Sequence, residues 1–129
     1  MEKEAKQVSK NEVISESLRK TNYLISKNKV EEIELYEVSK EFFKKYLDID
    51  YEATSNELIN IINKTYIPEG LDKDMKQYLE ALSVVEYKDS SLTDEKINLM
   101  LTYLQAILKK LDSSGKKKKG FWKKLFGKK

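Results

Sequence analysis

A chain of 129 residues has room for one domain of about 100 residues plus short tails, and for a modest single core. Charged residues make up 36% of it and apolar residues 40%, with one Pro and four Gly, a balance that favours helices over sheet. There is no Cys and no His, which excludes disulfides, thiolate metal sites, thiol catalysis and an imidazole general base.

The net charge of +3 hides a strong polarity. The last fifteen residues, G-K-K-K-K-G-F-W-K-K-L-F-G-K-K, contain eight lysines and no acid. Without those eight, 17 basic residues face 22 acidic ones, so the body carries −5. Such a molecule approaches an anionic surface tail first, with its body held off. The amino terminus, M-E-K-E-A-K, has no apolar run and does not read as a signal peptide. No stretch approaches the roughly 20 apolar residues needed to span a bilayer. The expected location is cytoplasmic, peripheral on the inner membrane face.

In chain order, residues 1–9 are polar and are expected to be disordered. Residues 10–111 are expected to form the helical bundle, and 112–129 a hinge and a polybasic aromatic tail. Ser9 and Glu12 have capping-box spacing, which predicts a first helix over 10–27 with a thin face of Val13, Ile14, Leu18 and Ile25, helped by Leu24 and Tyr23. A second helix over 30–47 carries a broad stripe that includes Ile33, Leu35, Val38, Phe42 and Phe43. Asp48-Ile49-Asp50-Tyr51 breaks the period and reads as a loop. Thr54 and Glu57 form the next capping box, for a helix to about Thr65 with Leu58, Ile59, Ile61, Ile62 and Tyr66. Pro68-Glu69-Gly70 stops it.

A fourth helix is predicted over 71–87, where Leu71, Met75, Tyr78, Leu79, Leu82 and Val85 keep helical spacing. Thr93 caps the fifth, with Leu92 and Ile97 at staple positions. Its face of Ile97, Met100, Leu101, Leu104, Ile107, Leu108 and Leu111 is the best-defined stripe in the chain. Ser113, Ser114 and Gly115 read as a hinge. The fold class expected is all-α, a compact antiparallel bundle of four to five short helices with a basic amphipathic carboxyl-terminal tail.

Catalysis would have to rest on carboxylates, Lys, Tyr, Ser or Thr. Glu31, Glu32 and Glu34, and Asp72 with Asp74, sit at predicted helix starts, where acids favour the positive end of the dipole. Asp72-x-Asp74 fails as a calcium loop, because Lys76 takes the next ligand position and the required Gly is missing. No Gly-rich phosphate loop exists. The eight tyrosines read mainly as core or core-edge residues, and Glu86-Tyr87 as a lock on the turn after the fourth helix. The expectation is no enzyme site, no metal and no cofactor.

The tail carries the clearest functional signal. Phe121, Trp122, Leu125 and Phe126 recur at i, i+1, i+4 and i+5, so a helix gathers them on one side. Lys116, Lys117, Lys118, Lys119, Lys123, Lys124, Lys128 and Lys129 flank them. Each lysine near an anionic leaflet contributes roughly 1 kcal/mol, and full burial of a large apolar side chain about 1.5–3 kcal/mol, of which interfacial insertion recovers part. Stable anchoring takes two signals, and this tail has both. Two alternatives stay open: a solvated solubility tail, and a nucleic-acid tail with Trp122 stacked on bases and lysines on phosphates. Against the second stands the absence of Arg from the tail.

From about residue 31 to 111 the pattern resembles a family of small helical domains. The features are Tyr36 followed by Phe42 and Tyr46-Leu47, then Thr54-x-x-Glu57-Leu58, then Leu79 through Val85-Glu86-Tyr87, and the closing helix 93–111. They are similar to the cytoplasmic carboxy-terminal domain of BatD-type aerotolerance membrane proteins, and to domains on membrane-bound transglutaminase-like proteins. That resemblance implies an adaptor, with a MoxR-type AAA+ ATPase or a von Willebrand factor A domain protein as partner. Family domains usually follow a transmembrane helix, and here the basic tail would supply the attachment from the opposite end.

Overall fold

The computed structural model describes the backbone over residues 2–68, 70–87 and 92–126, and side chains over 11–68, 70–86 and 92–113. The described residues are all-helical: α1 (Glu2–Ser26), α2 (Glu32–Tyr46), α3 (Ser55–Asn63), α4 (Leu71–Tyr87) and α5 (Asp94–Phe126). Side-chain pairs fix their directions. Lys20 meets Glu41 and Lys27 meets Glu34, so α1 and α2 run antiparallel. Tyr36 reaches Glu86 while Phe43 stacks on Tyr78, which opposes α2 and α4. Tyr103 bonds Gln77 and Lys110 pairs with Asp74, which opposes α4 and α5. Hence α1 and α5 also run in opposite senses, joined at their surface where Gln105 donates to Asn22 at 2.6 Å. The short α3 packs on α4.

Local chemistry explains most boundaries. At the start of α3, Thr54 Oγ1 accepts from the Glu57 N–H at 3.1 Å, and the Glu57 carboxylate accepts from the Thr54 N–H at 2.9 Å. Thr93 Oγ1 likewise accepts from the Lys96 N–H at the start of α5. After α2 the chain turns through Asp48, whose φ of 59° is one a short polar side chain tolerates. Gly70 has φ 89°; no atom crowds its Cβ position, so the backbone angle alone asks for glycine.

Two termini differ from expectation. Helix α1 starts at Glu2, so Ser9 and Glu12 lie within the helix instead of capping it. Glu2, Lys3, Glu4, Ala5, Lys6 and Gln7 are all strong helix formers, and Glu2 and Lys6 have the favourable i,i+4 spacing. Helix α5 runs without interruption through Ser113, Ser114 and Gly115, the expected hinge. One glycine costs a helix about 1 kcal/mol, and the lysines beyond it suit the negative end of the helix dipole.

The core gathers Leu35, Phe42, Phe43, Leu58, Ile62, Met75, Tyr78, Leu79 and Leu82 around the apolar face of α5, all seven members of which are buried. Several stripe residues lie outside it. Ile25, Ile33, Tyr23 and Tyr66 are exposed, Tyr66 by 87%. Conversely Ser17, Thr21, Ser39 and Ser55 are buried. Ser39 donates to the Leu35 carbonyl at 2.8 Å, so its oxygen is left to accept the hydroxyl of fully buried Tyr78. Burial holds that tyrosine's pKa far above the phenol range, against the opposing effect of Ser39.

Candidate functional site

Of the predicted tail residues, Lys116, Lys117, Lys118, Lys119, Phe121, Trp122, Lys123, Lys124, Leu125 and Phe126 lie on the described backbone of α5, while their side chains lie outside the described residues. Lys128 and Lys129 lie outside them altogether. The tail is therefore a direct extension of the helix that forms one wall of the core. From Leu111 to Phe126 it spans fifteen residues, roughly 22 Å at helical rise.

Glu32, Glu34 and Asp74 lie in first helical turns, as expected, and each also reaches another part of the fold. The Glu34 carboxylate accepts from the Glu31 N–H at 2.9 Å and pairs with Lys27 at 2.6 Å. The bond from Lys27, then that from Glu31, lowers the Glu34 pKa. Glu32 accepts from the Leu92 N–H at 2.9 Å, tying the start of α2 to the entry of α5. Asp74 pairs with Lys110 at 3.3 Å. Among the described residues no group of His, Cys, Asp or Glu has a metal-holding arrangement.

The sequence reads Glu86-Tyr87 as a lock on the turn after α4; that turn, 88–91, and the Tyr87 side chain lie outside the described residues, and Glu86 itself clasps three helices. Its carboxylate accepts from the Tyr36 hydroxyl at 2.9 Å and from Lys40 Nζ at 3.1 Å, both on α2. It also receives the Ser55 N–H, at the first turn of α3, at 3.2 and 3.3 Å. Side-chain exposure is only 9% for Glu86 and 14% for Lys40. Burial pushes the Glu86 pKa up, but the Ser55, Tyr36 and Lys40 donors outweigh it and hold the carboxyl below its ordinary range. A carboxylate kept ionised by this many donors makes a poor proton shuttle. The geometry is that of a clasp.

Open hollows lie on either side of the clasp. One, of about 490 Å³, has an apolar floor of Tyr36, Ile49, Ala53 and Leu58 under a charged rim. The rim lysines are already paired, Lys44 with Glu52 at 3.1 Å and Lys45 with Glu41 at 2.9 Å. The other, of about 420 Å³, is lined by Glu32, Ile33, Tyr36, Val85 and Glu86. Neither presents a convergent set of free polar groups.

No helix among the described residues is long and apolar enough to cross a membrane. No family model, curated protein or solved structure matches the chain.

Proposed function

We propose that this protein is a non-enzymatic helical adaptor, attached peripherally to the cytoplasmic membrane face by residues 116–129. The observation that carries this reading is the pairing, within one fifteen-residue segment free of acid, of eight lysines with four large apolar residues at one-sided helical spacing. An acidic body of −5 adds to it, since repulsion from an anionic leaflet leaves the tail as the approaching end. Helical backbone through Phe126 supplies the conformation in which those positions share a side. The body then presents a helical surface to a protein partner. The resemblance drawn from residues 31–111 makes a MoxR-type AAA+ ATPase or a von Willebrand factor A domain protein the first to try.

Vesicle co-sedimentation tests the attachment. Binding is expected to require anionic lipid and to fall at least tenfold for Trp122→Ala with Phe126→Ala, about the loss of 1.4 kcal/mol of insertion energy. Salt-sensitive binding to RNA or DNA, indifferent to the two aromatic residues, would replace this reading with a nucleic-acid one.

A further inference from the structure

The register of α5 carries a consequence for how the tail meets lipid, which rests on the membrane reading above. Positions 121, 122, 125 and 126 stand eighteen residues after Tyr103, Leu104, Ile107 and Leu108. Eighteen residues are about five full turns at 3.6 per turn. On one unbroken helix, then, the apolar positions of the tail fall on the same side as the residues that pack into the core, three of them buried and Tyr103 partly so. Over 97–111 that side of α5 is buried in the body, and α1, α4 and α2 all contact the helix.

A bilayer cannot reach that side of a straight α5 without meeting the body first. Packed helices put at least one helix diameter, about 10 Å, between the face of α5 and the body's far surface. An interfacial helix sinks only about 5–10 Å. On a straight α5 the apolar positions of the tail are thus turned away from any flat lipid surface.

We propose that an anionic bilayer opens α5 at Ser113-Ser114-Gly115 and rotates the tail out of register with the core stripe. Those three are the only run of weak helix formers between Leu111 and Phe126. The opened joint lets residues 116–126 lie in the headgroup plane while the body keeps its own packing. Helix in the joint and insertion in lipid become competing states, so stabilising one weakens the other.

The absence of cysteine makes a direct distance test available. Spin labels at Thr102→Cys and Gly120→Cys, also eighteen residues apart, sit about 27 Å apart along an unbroken helix. On vesicles of zwitterionic and phosphatidylserine lipid at about 3:1, that distance is expected to shorten and broaden. The helix-locking variant Ser113→Ala, Ser114→Ala, Gly115→Ala is expected to bind those vesicles about tenfold more weakly. Ser113→Gly with Ser114→Gly is expected to bind a few-fold more tightly, with an unchanged melting temperature for the body. An unchanged distance on bound vesicles, with the locked variant binding as well as wild type, would overturn the opening and leave the attachment standing. Failure of the wild type to sediment with vesicles would overturn both.

Discussion

The two halves of α5 share one helix and one phase, yet the apolar positions of the second are set among six lysines. Between Asp94 and Leu111 the stripe is buried, with Leu101, Leu104 and Leu108 at 0% exposure. Between Asp112 and Phe126 the same periodicity recurs on the described backbone, and the side chains beyond Ser113 lie outside the described residues. Periodicity therefore reports a demand for an apolar neighbour and is silent about which neighbour meets it. In the first half the neighbour is the rest of the chain; in the second, on the reading proposed above, it is lipid.

Substitutions in each half should separate the two demands. Leu104→Ala removes a fully buried side chain, and urea unfolding is expected to show a loss of about 2–5 kcal/mol. Lipid affinity of the protein that remains folded should not change. If Leu104→Ala instead left stability intact, the body half of α5 would have no better claim to a core role than the tail.

A smaller loss is expected at the clasp. Glu86→Ala leaves Lys40 and the Ser55 N–H short of a buried acceptor, at about 1–3 kcal/mol. Because the folded carboxyl ionises below its ordinary range, the stability it adds is present above the unfolded carboxylate range and disappears as pH falls through the depressed folded value. A pH series of chemical denaturation should accordingly show a shallower acid decline for Glu86→Gln than for wild type. Equal slopes would mean that other carboxylates govern the acid limb.

Thr54→Ala removes one half of the α3 capping box and should cost about 1 kcal/mol. At Thr21 the sign reverses. Its Oγ1 is buried without a hydrogen-bond partner among the described residues, so Thr21→Val should raise stability by up to about 1 kcal/mol. The smallest effect belongs to the tail: Trp122→Ala with Phe126→Ala should leave the unfolding midpoint of the body where it was, whatever it does to vesicle binding. A drop in that midpoint would mean that the tail packs on the body, and the contrast between the halves of α5 would fail.

Much of this was legible in the chain. The Thr54-x-x-Glu57 and Thr93 caps mark helix starts that the structure keeps, because capping is settled within four residues. The α4 and α5 stripes predicted their buried faces well, since both helices are enclosed on the side the spacing selects. Glu86 was harder. Its position, seven after Leu79 and four after Leu82, places it on the buried side of α4 and was the available signal. Nothing in sequence spacing could join it to Tyr36, fifty residues away, or to the first turn of α3.

Taken alone, the sequence determined the helical class, the breaks at Asp48, Pro68 and Thr93, and the charge polarity between body and tail, all of which follow from local propensity, capping and composition. Tertiary structure decided which members of each stripe are inside. Thin-faced α1 buries Ser17 and Thr21 against its neighbours while Ile25 stays exposed, because burial depends on where the neighbouring helices stand and not on hydrophobicity alone. It also decided that α5 continues past Gly115, and so fixed the phase of the tail against the body, a relation between distant residues that only an unbroken backbone can transmit.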